Sequence, residues 1–173
     1  FADLDARRLQ LQAGGGPDRI QRQHDQGKLT ARERLSLLFD SDTFVEFGLW
    51  VAHRCPELAG KEFPADGVVT GKGEVTGRPV FAFSQDFTVG GGAVGERHAA
   101  KIVEMLGTAL KCGVPVVGFN DGGGARIQEG VNALSAYGKI FYHNTLLSGV
   151  VPQISVIAGP CAVETPEQTL QAA

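Results

Sequence analysis

No apolar run in this 173-residue chain approaches the roughly 20 residues that a membrane-spanning helix needs, so a bilayer span is not expected. The opening segment is acidic and Gln-rich, unlike a signal or transit peptide. Cysteine is scarce. Cys55, Cys112 and Cys161 stand far apart, with no C-x-x-C pair and no His spacing suited to zinc. They read as buried, reduced thiols of a cytoplasmic-type protein, and no metal site is expected. Charge of one sign is not in excess either. A formal net charge of −3 and a pI near 5.8 make no field that gathers polyanions, so neither nucleic acid nor an anionic membrane is expected as a partner. With 43% hydrophobic and 20% charged residues, the composition is that of one soluble domain with a real core.

The usual marks of side-chain catalysis and phosphate cradling are also missing. There is no G-x-x-x-x-G-K-[ST] loop. Ser84, Ser135, Ser148 and Ser155 lack a G-x-S-x-G elbow, and His24, His53, His98 and His143 lack obvious triad partners. Asp121 and Glu129 read as loop-capping or ion-paired groups more readily than as a general acid and base. No catalytic side chain is assigned. Gly90 to Gly95 matches G-x-G-x-x-G by letter, but Gln85 to Val89 separates it from the preceding strand and Pro115 stands where a ribose-binding acid belongs. A dinucleotide-binding module is therefore a minor alternative.

Glycine is abundant instead, at 24 residues, roughly double ordinary usage. Two runs stand between predicted strands and helices. Polar helical stretches at 3–12 and 18–26, broken by Gly14-Gly15-Gly16-Pro17, look like an exposed arm. Thr30-Ala31-Arg32-Glu33 has capping-box spacing and opens a helix to about Asp40, with Leu35, Leu38 and Phe39 on one side. Short strands follow at 44–47, 67–75 and 79–84, the last two forming a hairpin around Thr76-Gly77-Arg78. A helix over 95–111, a strand over 114–119, a helix over 131–147 and a strand over 153–158 complete the pattern. Both of those strands read as buried on both faces. The order calls for an α/β sheet with parallel crossovers covered by helices.

Ligands of such sheets collect beyond the carboxyl ends of the strands, where Asp86–Gly95 and Asp121–Gly130 should lie. Each run precedes a helix, so free amides and the helix dipole there suit an anionic oxygen. Convergent N–H groups stabilise an enolate oxygen without a charged side chain, and glycine lets the main chain approach a thioester carbonyl.

Six segments carry a resemblance: Lys28 to Arg34, His53-Arg54-Cys55, Asp66 to Gly71, Ser84 to Thr88, Gly123 to Gly130 and Gly149 to Ser155. In order and spacing they resemble propionyl-CoA carboxylase β chains, over about Gly14 to Ala162. The resemblance implies a crotonase-like α/β fold, here an incomplete N-terminal carboxyltransferase domain at 28–162, after a helical arm at 1–27 and before a tail at 163–173 unlike the family. It implies that this domain holds a short-chain acyl-CoA such as propionyl-CoA, for which local basic residues suffice. A facing C-terminal domain receives carboxybiotin from a mobile carrier; biotin loses CO2 and takes the α-proton, and the enolate attacks the CO2. The implied partners are acyl-CoA, a biotin carboxylase and biotin carrier subunit, and other carboxyltransferase β subunits.

Residue by residue, the resemblance places Gly122, Gly123, Gly124, Ala125 and Arg126 in the thioester and pantetheine loop. Phe87, Thr88, Gly91 and Gly92 form a second wall. Arg126 is expected either to pair a ligand phosphate or carboxylate or to hold Glu129. Gly90 and Gly122 stand where the family usually has Phe and Ser. Val163 and Glu164 replace the Gly-Gly pair thought to make the oxyanion hole, and Glu164 would set a negative charge there. The expectation is a chain inactive alone, whose sheet leaves an apolar patch that favours self-association. Two alternatives stay open. One is a non-catalytic relic docking on a full-length homologue; the other is the decarboxylase branch, which runs the reaction in reverse.

Overall fold

The structure is a computed structural model that describes residues 2–157. Its centre is the hairpin of β2 (Val68–Val75) and β3 (Arg78–Gln85), antiparallel from Val68 opposite Gln85 to Val75 opposite Arg78. Thr76 and Gly77 both have positive φ, as a two-residue turn between twisted strands requires. That backbone is costly for a β-branched residue, and the Asp40 carboxylate holds it by accepting from the amides of Thr76 (3.1 Å) and Gly77 (2.8 Å).

Short β1 (Val45–Phe47) pairs antiparallel with β2, and β4 (Val116–Asn120) and β5 (Gln153–Ile157) add in parallel beyond β3. The order is β1-β2-β3-β4-β5. Parallel strands need crossovers; α4 (Glu96–Cys112) and α5 (Val131–Leu147) supply them and pack together on one face. Strand alternation then separates two cores. Val68, Phe81 and Val116 join Ile102, Leu106 and Ile140 of these helices, while Val69, Val80, Ala82 and Val117 turn to Leu35 and Phe39 on the other face. Gly118 makes room for the Phe83 ring, which would lie 2.5 Å from a Cβ at that position.

The second face is covered by α3 (Ala31–Leu38), whose capping box is complete: Glu33 N donates to Thr30 Oγ1 at 3.3 Å and Thr30 N to Glu33 Oε2 at 2.7 Å. These bonds, with His24 beside them, hold the Glu33 carboxyl below its usual range. The helix stops before Asp40 because the Asp40 amide donates to Glu74 O of the hairpin instead.

Two sequence expectations are corrected and one is refined. The N-terminal helices α1 (Ala2–Gln12) and α2 (Pro17–Asp25) are largely exposed, as expected, but each is anchored to the body at one buried residue. Leu11 packs with Leu49 and Ala65, and Gln23 is buried. Docking depends on Gly15, where a Cβ would lie 2.0 Å from Thr88 O. Strand β5 is exposed along its whole length, because it is the last strand in the order and a cavity of about 280 Å³ separates it from α5. Of the cysteines, Cys55 is buried but Cys112, at the end of α4, is exposed; Cys161 lies outside the described residues.

A left-handed turn before β2 ties α4 to the hairpin. Ala65, Asp66 and Gly67 all have positive φ, and side chains of α4 capture the carbonyls around them. Lys101 Nζ donates to Ala65 O (2.8 Å) and Val68 O (2.5 Å), and His98 Nδ1 donates to Asp66 O at 2.9 Å. Burial, with the Arg126 and Lys101 charges adding to it, pushes the His98 imidazole down to about 3. Burial likewise lowers the Lys101 ammonium to about 8.

Removing the cap in Thr30→Ala lowers stability by about 1 kcal/mol, read as a shift of the urea midpoint at unchanged slope. The depressed His98 pKa sets a pH window. The unfolded chain binds this proton below about 6.5 and the folded one only near 3, so stability is full above 6.5 and falls as pH drops. Urea melts across pH 4–7 should show a slope of up to about 1.4 kcal/mol per pH unit that is shallower in His98→Gln, and equal slopes would refute the assignment.

Candidate functional site

Strands β3 and β4 end side by side, which brings the two glycine-rich loops, 86–95 and 121–130, together at their carboxyl ends. The loops are bonded to each other through the main chain. Gly123 N donates to Gly91 O (2.9 Å), Val94 N to Gly124 O (2.8 Å) and Arg126 N to Val94 O (2.9 Å), making a parallel bridge between Val94 and Ala125. Gly92 and Gly122 serve this contact: a Cβ on Gly92 would meet Asp121 O, and one on Gly122 would meet Gly92 O, each at 2.4 Å. Their glycine identity is thus explained by loop packing.

Gly91, Gly123 and Gly124 are different. A Cβ at Gly91 or Gly124 would meet nothing within 4 Å, and at Gly123 only Gly91 O at 3.6 Å. The Gly124 and Ala125 amides have no acceptor among the described residues. The bend is therefore open, with Gly123 exposed and two donors unspent, and a carbonyl oxygen can approach it.

Arg126 does not face a ligand. Its guanidinium is 3% exposed and donates to Asp66 Oδ1 (2.7 Å), Glu129 Oε1 (2.8 Å) and Ala93 O (3.0 Å), with the Phe63 ring 4.9 Å from it. Of the two roles expected for this residue, the Glu129 pair is the one present; the expected pairing with a ligand anion is prevented by burial. Burial raises the Asp66 carboxyl above its usual value, and the Arg126 charge opposes that shift. The other oxygen of Glu129 accepts from Glu96 N at 2.5 Å. The protein's own carboxylate thus occupies the start of α4, where an incoming anion was expected.

Thr88 is also engaged inward. Its hydroxyl donates to Asp86 Oδ1 (2.5 Å) and accepts from Gly15 N (3.0 Å), which docks the arm on the first loop. Burial raises the Asp86 carboxyl and these bonds resist the rise. Phe87 is half-buried, with Lys28 Nζ 5.6 Å from its ring centroid. A cavity of about 480 Å³ lies beside this loop, lined by Phe63, Phe87, Thr88, Gly90 and Gly91 among others.

Asp121 and Glu129 are ion-paired, as the sequence suggested, but the partners of Asp121 were missed. Asp121, fully buried at the root of the second loop, accepts from Arg34 Nη2 (2.5 Å) and Gln23 Nε2 (3.0 Å). Nothing local in the sequence links positions 23, 34 and 121. Asp66-Gly67 did carry a signal, since Asp-Gly favours a left-handed turn. Val163 and Glu164 lie outside the described residues.

The carboxyl transferase domain pattern matches residues 22–163. The chain is 58% identical over 161 residues to methylmalonyl-CoA decarboxylase subunit alpha of Veillonella parvula, covering 92% of this chain and 32% of that protein. It is 52% identical over 163 residues to the mitochondrial propionyl-CoA carboxylase beta chain of Homo sapiens, covering 92% of this chain and 30% of the relative. A crystal structure of transcarboxylase 12S with methylmalonyl-coenzyme A and methylmalonic acid bound superposes with a TM-score of 0.91 at 53% identity, over 92% of this chain and 32% of that one. The chain thus spans about a third of the length of these relatives. On this agreement of loops, topology and sequence, the chain belongs to the carboxyl transferase domain family and has its crotonase-like α/β fold.

Proposed function

We propose that this chain is the acyl-CoA-holding part of a biotin-dependent carboxyltransferase acting on a short-chain acyl-CoA such as propionyl-CoA or methylmalonyl-CoA. The observation that carries the proposal is the open bend at Gly123–Ala125, with unspent Gly124 and Ala125 amides beside the cavity of the first loop. In this reading Gly91, Gly123, Gly124 and Ala125 line the thioester and pantetheine. Gly92, Gly122 and Thr88 fix the loops, and Phe87 supplies an apolar wall. Arg126 acts from beneath by holding the bend in place.

No side chain of the loops is free to act as a base. Asp66 and Glu129 are committed to Arg126, Asp121 to Arg34 and Gln23, and His98 is enclosed and held neutral. That fits a reaction in which biotin, carried on another domain, supplies CO2 and the base. The part played here is to bind the thioester, orient its α-carbon and hold the enolate oxygen with main-chain donors. Because this chain corresponds to a third of its relatives, turnover depends on the remaining portion, and the chain alone is inactive. The whole assembly includes other carboxyltransferase subunits and a biotin carrier.

The decarboxylase direction has its own support. Identity to the methylmalonyl-CoA decarboxylase subunit of Veillonella parvula is 58%, against 53% for the propionyl-CoA carboxylase beta chain of Roseobacter denitrificans. Carboxylation and decarboxylation pass through the same acyl-CoA enolate, so one site serves both.

Gly123→Val tests the proposal, because ordinary backbone angles and open space let the fold accept the side chain while it fills the bend. Calorimetric titration with propionyl-CoA should show binding that weakens by about tenfold or more in the variant at unchanged melting temperature. Absence of binding to the parent chain, or equal affinity in both, contradicts it.

A further inference from the structure

The bend at 121–126 is held at both ends, from opposite sides of the sheet. Its far end is fixed by Arg126, whose guanidinium reaches Asp66 and, through Glu129, the start of α4. Its near end is fixed by Asp121. Val117 and Phe119 of β4 pack on the face that α3 covers, and Asp121 continues that alternation just past the strand. Its carboxylate is fully buried and accepts through Oδ2 from Arg34 Nη2 of α3 at 2.5 Å and from Gln23 Nε2 of α2 at 3.0 Å.

Arg34 stands on a rigid base. It is buried, and its helix is locked by the capping box and by Ala31 and Leu35, which belong to the core formed with Val69, Ala82 and Val117. Its charge also reaches the root of the first loop. Burial raises the Asp86 carboxyl there, and the Thr88 bonds and the Arg32 and Arg34 charges oppose the rise.

Little slack remains between the two fixed ends. A Cβ on Gly92 would meet Asp121 O at 2.4 Å, and Gly123 N is spent on Gly91 O. A shift of Asp121 therefore moves Gly122 and Gly123, and with them the peptide planes that carry the Gly124 and Ala125 amides. Net stability is a poor reason for the Arg34–Asp121 pair, since apolar side chains of similar size often serve a buried site as well or better. Fixed geometry is what the pair supplies.

We propose that Arg34 is a positioning residue: acting through Asp121, it sets the near end of the bend so that the Gly124 and Ala125 amides converge on the thioester oxygen. This rests on the acyl-CoA reading and deepens it. Helix α3, which touches neither glycine loop's open side, thereby takes part in recognising the carbonyl.

The test uses the full chain, the variants R34M/D121N and R34K, and two probes that differ only at the carbonyl, S-propionyl-pantetheine and the thioether S-propyl-pantetheine. The double variant removes both charges together and leaves an acceptor for Gln23, so no unpaired ion is buried. In R34K the charge stays, but the ammonium stops one atom short of the Nη2 position. Calorimetric titration of the parent should show the thioester bound on the order of tenfold more tightly than the thioether. In R34M/D121N that preference should fall to about twofold or less while thioether affinity stays the same, and R34K should lie between. A merely structural role would weaken both probes together. Preference equal to the parent's in R34M/D121N, or equal weakening of both probes, overturns the positioning role and leaves the acyl-CoA reading standing. Should the double variant fail to fold, R34K decides by the same comparison: a reduced preference supports the role and a parental one overturns it. A parent chain that binds both probes alike, or neither, overturns the acyl-CoA reading and the positioning role together.

Discussion

The Arg126 guanidinium, buried between Asp66 and Glu129, is the constraint through which the rest of the site is held. One cation fastens the left-handed turn before β2, the second glycine loop and, through the other oxygen of Glu129, the first amide of α4. A charge enclosed this deeply requires partners close on several sides, because removing one leaves an uncompensated ion at a cost of about 3–5 kcal/mol. Each element it joins is therefore fixed relative to the others. The Asp66 carbonyl is shared with His98 and its neighbours with Lys101, so α4 reaches the same turn from the other side. Structural ionic chemistry lies below the loops, and open main chain lies above them.

This division explains why so glycine-rich a site has so few free side chains. Gly92 and Gly122 let the loops touch, Gly15 lets the arm touch the first loop, Gly91 and Gly124 take up positive φ, and open space lies beside all three of Gly91, Gly123 and Gly124. Enolate stabilisation by rigid amides requires donors that do not reorganise, and the Gly123–Gly91 and Arg126–Val94 bonds supply that rigidity to the intervening Gly124 and Ala125.

Much of the fold was legible in the sequence where the signal was local. The Thr30 and Glu33 capping box, the hairpin at Thr76-Gly77 and the α5 span all follow from spacing within a few residues. Burial of β5 was not legible, because five apolar-rich residues read alike whether or not anything covers them. The exposure of the arm was legible in its polar composition, but its anchorage was not: one Gln-to-Asp bond across 98 residues and one glycine contact decide its position. In the site, the two loops were found through their glycines and the resemblance, whereas the inward role of Arg126 depends on Asp66, sixty residues away. Long-range pairs between polar residues leave no periodic trace.

The central claim is that the amides of the bend at Gly123–Ala125 meet the thioester of an acyl-CoA. Amide chemical-shift mapping of the isotope-labelled chain during titration with propionyl-CoA tests it most directly. The account predicts that the largest shifts fall on Gly91, Gly123, Gly124 and Ala125. Shifts confined to other parts of the sheet, or none at saturating ligand, would contradict it.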